Sequence, residues 1–519
     1  MDISEQIIFD ALKKKNLDEQ KLDVIKRRAA FKFKTEIPSN ILLLQAYHNL
    51  VSGNKVKKSP TLEQVFKTRK VRTLSGIAAI TVITKPYNCP GKCLYCPNEK
   101  DMPKSYLANE PACMRAVLTQ FDPYRQTKAR LDSLKMTGHT TDKVELIVLG
   151  GTWSVYPKIY QNWFLKRCFD ACNGITLKTL KTSQKRNENA KNRVIGLTLE
   201  TRPDYITKNE VKRLRELGCT RMELGVQSIF NDVLQKNKRG HKIKEIINAT
   251  KLLKDAGFKI TYHMMPNLPG SNPRKDEKMF EELFSNPDFQ PDQLKIYPCA
   301  VLETAPLYKI WKNKKYKPYS QKQLVDLLIK IKEKIPPYVR IVRMIRDIPA
   351  QSIVAGNKIS NLREIVAQEM KRQGKKCRCI RCREIRNSKF VIRNSKLVRK
   401  DYIASDGKEI FLSFEDTKND KILAFLRLRL TNIWALPELK NSALIRELHT
   451  YGQTVAIKEK NKNAQQHKSL GRKLMDEAEK IIKKETLYRK VAVIAGIGVR
   501  QYYKKLGYKL KGTYMVKNL

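Results

Sequence analysis

Three cysteines lie close together near the start of the chain. Cys89, Cys93 and Cys96 have the spacing C-x3-C-x2-C within Pro86–Pro97, a Gly/Pro-rich stretch that follows an apolar run. Thiolates with this spacing on one loop can bind three irons of a 4Fe–4S cluster and leave the fourth iron without a protein ligand. A partial zinc knuckle is the alternative, but zinc sites usually place their cysteines in C-x2-C pairs. The spacing therefore favours a cluster whose open iron can be chelated by the amino and carboxylate groups of a substrate.

A second group of cysteines lies in the last third of the chain. Cys377, Cys379 and Cys382 form a C-x-C-x2-C run within a basic stretch. Three thiolates this close can hold a zinc ion, although the run has no fourth ligand beside it. The favoured fourth ligand is Cys299, and one of the six histidines or a water is the alternative. We expect a structural zinc that fixes the preceding domain to the following one; free thiols in a basic loop are the other interpretation.

The charge of the chain indicates a polyanionic partner. Its 519 residues include 104 lysines and arginines against 51 acidic residues, a net charge of +53 spread along the whole length. A thermophile-style charged surface is the alternative, but such surfaces usually gain glutamate together with lysine. The one-sided excess therefore favours nucleic acid.

Nothing in the sequence predicts export or a membrane span. Met1–Lys15 lacks the apolar segment of a signal peptide, and no apolar run of roughly 18 residues or more occurs. Eleven cysteines without a signal peptide favour reduced thiols and metal ligands over disulfides. We therefore expect a cytoplasmic protein.

Residues 1–74 have a mostly helical pattern and are strongly basic. Their lysines and arginines occur in clusters, among them Lys13–Lys15, Lys26–Arg28 and Lys55–Lys58. Solvated helix faces explain some of these charges, but their density favours an extension that contacts phosphates.

From residue 75 to residue 350, apolar strand-like runs alternate with amphipathic helices. The strand candidates are Gly76–Thr84, Val144–Gly151, Arg193–Glu200, Arg221–Ser228, Lys259–Met265 and Gln293–Pro298. Six such units predict an α/β fold, a partial (β/α)6 barrel with a parallel sheet and right-handed crossovers. Functional residues of such barrels lie at the C-terminal ends of the strands, and the first cysteine loop follows the first strand.

Polar or glycine-rich residues follow other strands of this predicted barrel. They are Gly150, Gly151 and Thr152 after the second strand, Glu200 and Arg202 after the third, Gln227 after the fourth and His263 in the fifth. Each is a weak signal alone, because Gly-Gly is often only a turn and Glu–Arg only a surface pair. Together they predict one binding site at the mouth of the barrel. The cysteine spacing resembles the signature of radical S-adenosylmethionine (SAM) enzymes, and this resemblance implies that these residues bind SAM.

The pattern changes again after residue 350. Residues 351–395 lose the regular alternation and hold the second cysteine group, whereas residues 396–519 have a shorter α+β pattern. The strand candidates in this last unit are Glu409–Phe414, Ile422–Leu430, Ala443–Thr450 and Val491–Gly496. A predicted helix, Leu470–Lys484, follows a loop whose amides can hold a pyrophosphate.

Two motifs of this last unit resemble the GNAT acyltransferase family. A loop with the sequence Q-H-K-S-L-G resembles its acetyl-coenzyme A (CoA) loop, Q/R-x-x-G-x-G/A, and comprises Gln466, His467, Lys468, Ser469, Leu470 and Gly471. Ser469 stands where the first glycine is expected. Tyr502 and Tyr503 lie on a segment that resembles the tyrosine-bearing helix near the thioester. Adjacent helix residues point about 100° apart, so at most one tyrosine is expected to face the cofactor; both are core residues in the alternative interpretation.

The two halves together resemble one family along nearly the whole chain. A radical SAM barrel followed by a GNAT domain is typical of the catalytic subunit of the elongator complex and its stand-alone archaeal and bacterial relatives. Supporting runs are Phe121–Tyr124, Gly196–Tyr205, Arg221–Ser228, Lys238–His241, His263–Pro266, Arg346–Pro349, Arg446–His449 and Gly512–Lys517. The C-x-C-x2-C run makes the chain more similar to the single-polypeptide microbial members.

The resemblance implies modification of the tRNA wobble uridine at carbon 5 to carboxymethyluridine. In that reaction a reduced cluster cleaves SAM, the 5′-deoxyadenosyl radical takes hydrogen from the methyl group of acetyl-CoA, and the carbon radical attacks the uracil ring. Thioester hydrolysis then releases CoA. Glu447 and His449 are candidates to activate the water, and a core pair is the alternative.

The resemblance also implies how the parts are arranged. The acetyl group, SAM and the flipped base are expected to meet in a closed cleft where the barrel mouth faces the GNAT domain. The implied partners are the tRNA anticodon stem-loop, contacted in part by the basic N-terminal extension, and an electron donor. The resemblance is compatible with action without other elongator subunits, but the sequence leaves open both the need for such subunits and the oligomeric state.

Two other functions are compatible with parts of the pattern. In the first, the chain is a histone-type protein lysine acetyltransferase with a structural barrel, but a charge of +53 suits lysine-bearing substrates badly. In the second, it is a tRNA-binding scaffold without chemistry, which the intact cluster cysteines disfavour. A tRNA carboxymethyluridine synthase is therefore the favoured prediction.

Overall fold

The computed structural model of the chain describes residues 2–68, 73, 76–385, 395–452 and 469–519. Its N-terminal extension consists of four helices, α1 (Ile3–Leu12), α2 (Glu19–Phe33), α3 (Asn40–Ser52) and α4 (Pro60–Phe66). Each begins after an Asp or Ser whose side chain accepts a hydrogen bond from a backbone N–H of the first turn. The helices share an apolar core of their own, so the extension is a folded unit as predicted.

Seven parallel strands form the first sheet. They are β1 (Ala78–Ile83), β2 (Lys143–Leu149), β3 (Arg193–Thr201), β4 (Arg221–Gln227), β5 (Lys259–Met264), β6 (Gln293–Ile296) and β7 (Arg340–Arg343). Each strand pairs with the next in the chain, which gives a half-barrel. The predicted partial barrel is confirmed, with one strand more than expected. The sequence does not reveal β7 because its four residues are Arg-Ile-Val-Arg, which leave only two apolar positions.

Helices connect these strands and cover the outside of the half-barrel. They are α5 (Pro111–Leu118), α6 (Pro123–Met136), α7 (Lys158–Asn173), α8 (Leu180–Asn187), α9 (Lys208–Glu216), α10 (Asn231–Lys236), α11 (Ile243–Asp255), α12 (Pro273–Ser285), α13 (Leu307–Lys312), α14 (Gln321–Lys334), α15 (Leu362–Arg372) and α16 (Ile380–Arg383). Glycines end two of these helices: Gly218 follows α9 and Gly257 follows α11, with φ of +89° and +81°.

The second domain is built on a mixed seven-stranded sheet. Its strands are β8 (Lys396–Ala404), β9 (Gly407–Asp416), β10 (Lys421–Leu430), β11 (Ser442–Thr450), β12 (Lys490–Val493), β13 (Lys509–Lys511) and β14 (Tyr514–Asn518). Their order is β13-β14-β12-β11-β10-β9-β8. The predicted α+β unit and its four strands are confirmed, and β8, β13 and β14 are additional. Two of these, β8 and β13, are mostly exposed edge strands, so they lack the alternating pattern of a half-buried strand.

Two helices complete the second domain, α17 (Leu470–Glu485) and α18 (Arg500–Lys505). α17 packs on β9, β10 and β11. β11 pairs in parallel with β12, but the pairing stops at Ile445 and Val493, although β11 runs on to Thr450. The two strands therefore diverge next to the start of α17.

The second domain covers the base of the half-barrel, where the seven strands begin. Arg446 of β11 binds Asp292, before β6, at 2.6 Å, and the Tyr514 hydroxyl donates to the carbonyl of Ala256, before β5, at 2.7 Å. A Cβ at Gly496 would lie 2.0 Å from the carbonyl oxygen of Ile195, so the close contact with β3 requires glycine. The mouth, where the strands end, faces away from this domain.

This arrangement differs from the expectation that the mouth faces the second domain. The turns at the base carry buried carboxylates, and arginines of the second domain neutralise them. The polar groups at the mouth instead face an open cavity.

No helix in the described part of the chain has the length and apolar composition that a bilayer crossing requires.

Candidate active site at the mouth of the half-barrel

A cavity of about 710 Å³ opens at the mouth. Its walls include eight of the residues that the sequence predicts for the cluster and SAM, namely Cys89, Cys93, Cys96, Gly151, Thr152, Glu200, Arg202 and Gln227. Gly150 lies behind this wall. It has φ of +134°, and a Cβ there would lie 1.9 Å from Thr84 Oγ1, so Gly150 allows the close turn that presents Gly151.

The cysteine loop has room for a metal cluster between its sulfurs. Cys89 Sγ lies 3.7 Å from Thr152 Oγ1. A Cβ at Gly91 would lie 3.5 Å from the Sγ atoms of both Cys89 and Cys93, and 2.7 Å from Arg202 Nη1. Any side chain at this position would therefore fill the space between the sulfurs. The donor set and this space fit a 4Fe–4S cluster, with Cys89, Cys93 and Cys96 as its ligands.

The loop also favours the ionised form of one ligand. The hydrogen bond from Cys96, followed by the charges of Arg239 and Arg202, lowers the pKa of Cys93 to about 4, although burial opposes the shift. Arg239 Nη1 donates to Cys93 Sγ at 3.2 Å. A thiolate is the form that binds metal, so the loop is prepared for ligation.

Four side chains on the cavity wall have a buried polar atom without a partner among the described residues, namely Tyr95, Arg202, Gln227 and Arg239. Two of them, Arg202 and Gln227, belong to the predicted SAM site. Arg202 is held by two hydrogen bonds to Asp204, from Nε at 3.0 Å and from Nη2 at 2.9 Å, which leaves its Nη1 unpaired. Gln227 has φ of +71°, and its Oε1 is likewise unpaired. Buried polar atoms are normally hydrogen-bonded. These two atoms therefore mark places where a bound ligand supplies the partner.

A network of charged side chains forms the floor of the cavity. Glu200 accepts a hydrogen bond from Tyr106 at 2.9 Å and lies 3.8 Å from His263 Nδ1. His263 Nε2 lies 2.8 Å from Glu223, which also binds Lys295. Burial alone would raise the pKa of Glu223, but Lys295 and His263 hold it well below its usual value. The floor thus places an ionised Glu223 and its partners under the SAM-site candidates.

Four residues of this site have no role in the predictions from sequence, namely Tyr106, Glu223, Arg239 and Lys295. Glu223 and Lys295 had a detectable signal, because each interrupts an apolar strand with a charge. All residues of β4 and β6 are buried, and a buried charge inside a strand needs a partner. Tyr106 and Arg239 lie in connecting segments with no such pattern.

The second domain brings part of the predicted acetyl-CoA site together. Ser469 precedes α17 with φ of +56°, the left-handed conformation that glycine adopts most easily, which agrees with its place in the motif. A Cβ at Gly471 would lie 3.2 Å from the Tyr502 hydroxyl. Tyr502 is 39% exposed, whereas Tyr503 is buried against Tyr508. Leu470 is a buried core residue of α17. Gln466, His467 and Lys468 lie outside the described residues.

The structure thus separates the two tyrosines as expected. Only Tyr502 lies beside Gly471, and Tyr503 belongs to the core.

Glu447 and His449 lie on the opposite side of β11 from this cleft. Glu447 binds Lys259 at 2.6 Å and Arg427 at 2.9 Å, and the charges of these two lower its pKa to about 2 despite burial. The His449 ring packs 4.4 Å from that of Tyr451. Leu448, between them, faces Gly471 instead. These contacts correspond to the core-pair alternative and not to groups that activate a water in the cleft.

The second cysteine group converges tightly. The sulfurs of Cys377, Cys379 and Cys382 all lie within 4.8 Å of one another, which fits ligands of a single ion. Cys299 is not in this group. It is buried in an apolar cluster at the mouth that also contains Cys93, and burial raises its pKa to about 12. The structure therefore does not bring the expected fourth zinc ligand to the other three.

The mouth and the Gly471–Tyr502 cleft are far apart. The first lies beyond the C-terminal ends of the strands and the second below their N-terminal ends. A strand rises about 3.3 Å per residue, so the six residues of β1 alone separate the two ends by roughly 20 Å.

Comparison with known proteins agrees with this architecture. Residues 83–283 match the radical SAM superfamily, and residues 291–372 match the radical SAM C-terminal domain. A solved structure of archaeal Methanocaldococcus infernus Elp3 with an N-terminal deletion has 45% sequence identity and a TM-score of 0.77, covering 86% of this chain and all of that one.

Curated relatives match along the full length. The tRNA uridine(34) acetyltransferase of Methanocaldococcus jannaschii is 45% identical over all of this chain and 97% of the relative. Elongator complex protein 3 of Homo sapiens is 38% identical over all of this chain and 96% of the relative. The chain therefore belongs to the radical SAM family that comprises the tRNA uridine(34) acetyltransferases and Elongator complex protein 3.

Proposed function

We propose that this chain modifies the wobble uridine of tRNA and that the product is 5-carboxymethyluridine, formed from acetyl-CoA with a SAM-derived radical. The observation that carries the proposal is the mouth cavity. It combines three cysteines, four unpaired buried polar atoms and a charged floor in one space. We assign the reaction to the cytoplasm and the electron to a separate donor.

In this proposal, different residues of the mouth bind different parts of SAM. A 4Fe–4S cluster held by the three cysteines supplies the electron that splits SAM into methionine and a 5′-deoxyadenosyl radical. The backbone of Gly151, which has no side chain beside it, can bind the amino group of SAM. The unpaired Nη1 of Arg202 can bind the carboxylate of SAM. Glu200 suits the ribose hydroxyls, and Gln227 offers its unpaired amide oxygen. Asp204 orients Arg202 through its two hydrogen bonds.

The second domain supplies the acetyl-CoA site. The divergence of β11 and β12 opens a slot in the sheet, and the left-handed Ser469 turns the first amides of α17 outward. Tyr502 lies over Gly471 at the entrance of this slot, where its hydroxyl can donate to a thioester. These three features support acetyl-CoA as the acyl donor.

The separation of the two sites divides the reaction into two stages. Because roughly 20 Å of strand lies between them, an acetyl group bound near Tyr502 is out of reach of a radical formed beside Arg202. The acetyl-bearing group therefore has to move from the base to the mouth before carbon 5 of the uridine is attacked. Cleavage of SAM and release of CoA should accordingly be separable reactions.

The N-terminal extension supports tRNA as the partner. Arg27, Arg28, Lys32 and Lys34 are exposed on and just after α2, where they can contact phosphates. Phe31, in the middle of this group, is 88% exposed. An exposed ring among cations suits stacking on an unpaired base.

The second cysteine group supports a structural zinc. The segment that carries it joins the last barrel strand to the second sheet: the Ile380 N–H donates to the carbonyl of Val339 at 2.9 Å, and Arg383 binds Glu415 and Asp420. An ion held by Cys377, Cys379 and Cys382 would fix this connection. Its fourth ligand comes from outside the triad.

The test is anaerobic incubation of the reconstituted protein with SAM, acetyl-CoA, a chemical reductant and unmodified tRNA, followed by mass spectrometry of the nucleosides. We expect 5-carboxymethyluridine only when SAM and acetyl-CoA are both present. Omitting acetyl-CoA should still allow 5′-deoxyadenosine to form, and omitting SAM should still allow CoA release. A carboxymethyluridine peak that persists without acetyl-CoA would contradict the proposal.

The separation of the sites also keeps one alternative open, a protein lysine acetyltransferase whose barrel is structural. The two functions differ in their need for Cys93. In a Cys93→Ala variant, acetylation of lysine peptides should continue under the alternative, while uridine modification should be lost under the main proposal. The unpaired polar atoms of Arg202 and Gln227 favour the main proposal, because they line the mouth cavity, where a ligand can reach them.

A further inference from the structure

Arg239 is a buried arginine at the mouth whose contacts point toward the cysteine loop. It lies in the turn between α10 and α11 and is 6% exposed. Its Nη1 donates to Cys93 Sγ at 3.2 Å, and its Nη2 donates to the carbonyl of Gly225 at the end of β4. The guanidinium therefore bridges a predicted cluster ligand and the strand end beside it.

We propose that Arg239 sets the reduction potential of the cluster by donating a hydrogen bond to the sulfur of Cys93. Hydrogen bonds to the cysteine sulfurs, local charge and solvent exposure are the main protein controls on the potential of an iron–sulfur cluster. Arg239 contributes to all three, because it donates to the sulfur, stays protonated and is shielded from solvent. The inference requires the cluster but not a particular substrate.

The direction of the effect follows from charge. One-electron reduction, with dithionite as the donor in the test below, adds one negative charge to the cluster. A fixed cation beside a ligating sulfur stabilises that extra charge more than it stabilises the oxidised state. The same N–H···S bond strengthens as electron density on the sulfur rises. Arg239 should therefore raise the potential and make reduction easier.

The position of Arg239 is fixed by its surroundings, as a tuning role requires. Its backbone N–H donates to the carbonyl of Leu234 at 2.9 Å, which closes α10. A Cβ at Gly225 would lie 2.6 Å from Arg239 Nη2, so the strand end leaves space for the guanidinium only because it carries glycine. The side chain thus has one packed location, directly against Cys93.

Arg202 differs from Arg239 in a way that separates their roles. Both guanidinium groups flank the cysteine loop, but Arg202 is neutralised by Asp204 at 2.9 Å. Arg239 pairs with a carbonyl and a cysteine sulfur, so its positive charge is not cancelled by a carboxylate in the described contacts. Its charge is therefore the one that the cluster experiences most directly.

The experiment is a redox titration of the full-length reconstituted protein without SAM, acetyl-CoA or tRNA. Dithionite is the reductant, and the reduced cluster is followed by electron paramagnetic resonance. The variants are Arg239→Gln, which keeps a donor but removes the charge, and Arg239→Lys, which keeps the charge but loses the planar geometry. Arg343→Gln is the matched control, because Arg343 lines the same cavity but pairs with Asp347.

We expect all three variants to keep the iron content of the parent protein. In Arg239→Gln the ratio of reduced to oxidised cluster at a fixed potential should fall about tenfold, which corresponds to a shift of about 59 mV for one electron. Arg239→Lys should fall between this variant and the parent, and Arg343→Gln should match the parent.

Two results would overturn the proposal. The first is an unchanged potential in Arg239→Gln with full iron content. The second is loss of iron from both Arg239 variants, which would make the arginine necessary for assembling the site and not for tuning it. A shifted potential together with an absence of modified uridine would leave this inference standing and remove the proposed product instead.

Discussion

The two ends of the half-barrel use buried charge in opposite ways. At the mouth, Arg202 Nη1 and Gln227 Oε1 have no partner among the described residues, and they line a cavity. At the base, Arg446 and Asp292 are fully buried and bind each other through two hydrogen bonds, at 2.6 and 3.0 Å. Unpaired buried groups are costly unless a ligand completes them. The unpaired groups at the mouth are open to a cavity, whereas the charges at the base pair across the contact between the two domains. The mouth is therefore organised for binding and the base for holding two domains together.

The two cysteine groups repeat this difference. Cys89 and Cys93 flank a space that Gly91 keeps empty, whereas Cys377, Cys379 and Cys382 bring their sulfurs within 4.8 Å of one another near the base. A cluster binds its cysteines through separate irons, while a single zinc draws them together. The comparison therefore predicts iron at the mouth and zinc at the base, each with a distinct effect when it is removed.

The largest expected effect is that of Cys93→Ser. Removing one of three cluster ligands should lower the iron content and abolish uridine modification, because two cysteines are too few to hold the cluster. Mass spectrometry of the nucleosides and iron analysis would measure both effects. Cys172→Ala is the control, since this cysteine is buried in the apolar core and modification should continue. If Cys93→Ser still modified uridine fully, the assignment of the mouth as the cluster site would be wrong.

The next effect is that of Cys379→Ser at the base. This variant should lose the bound zinc and unfold at a lower temperature, because a structural metal contributes its binding energy to folding. Iron content should remain that of the parent protein. Elemental analysis would measure iron and zinc in both Cys93→Ser and Cys379→Ser. Each variant should lose one of the two metals and keep the other. Loss of both metals from either variant would show that the two groups are not independent.

A stability loss is expected from Arg446→Met. The change removes Arg446 from Asp292 and Glu409, which then keep the more distant Arg427 at 3.6 Å and Arg429 at 3.1 Å. Breaking a buried ion pair from one side costs about 3–5 kcal/mol. Arg399→Met is the control, because Arg399 also pairs with two carboxylates, Asp401 and Glu485, but at the surface; surface pairs contribute only about 0–1 kcal/mol. Thermal unfolding would compare the two. Equal losses of stability in the two variants would contradict the conclusion that buried ion pairs hold the two domains together at the base.

The smallest expected effect is on the loss of thermal stability at acidic pH. Lys259 and Arg427 hold the pKa of Glu447 at about 2, below its usual value, despite burial. A lowered carboxyl pKa contributes stability at pH values above its unfolded pKa, and this contribution is lost as the pH falls toward 2. The thermal midpoint of the parent should therefore fall between pH 5 and pH 3 more steeply than that of Glu447→Gln. Glu364→Gln is the control, because it changes an exposed carboxyl of α15, and its thermal midpoint should change with pH as steeply as that of the parent. If the midpoint of Glu447→Gln also changed as steeply as that of the parent, the role of this ion pair would be disproved.

Much of the fold was predictable from local patterns. The six long barrel strands and the four central strands of the second domain are apolar runs with clear ends, and glycines after α9 and α11 mark the helix stops. β7 and β8 could not be predicted in the same way. β7 has only two apolar residues and is stabilised by pairing with β6, and β8 is an exposed edge strand held by its hydrogen bonds to β9.

The site was predictable only where residues follow strand ends. Cys89, Gly151, Glu200 and Gln227 meet at one cavity because parallel strands end on one side of the sheet. Arg239 and Tyr106 reach the same cavity from connecting segments, and no spacing in the sequence links them to it. Glu447 shows the reverse case: its place in the sequence allowed either a role in activating water or a core pair, and its ion pairs turn it toward the barrel.

The sequence by itself determined the ligand types, the order of the domains and the side of the sheet on which the cluster residues gather. These depend on spacing along the chain and on the fixed geometry of parallel strands. Only the tertiary structure decided that the second domain covers the base, that Cys299 lies apart from the other three zinc candidates, and that Arg239 touches Cys93. These are contacts between segments distant in the chain, set by which buried charges and apolar surfaces complement each other, and no local pattern encodes them.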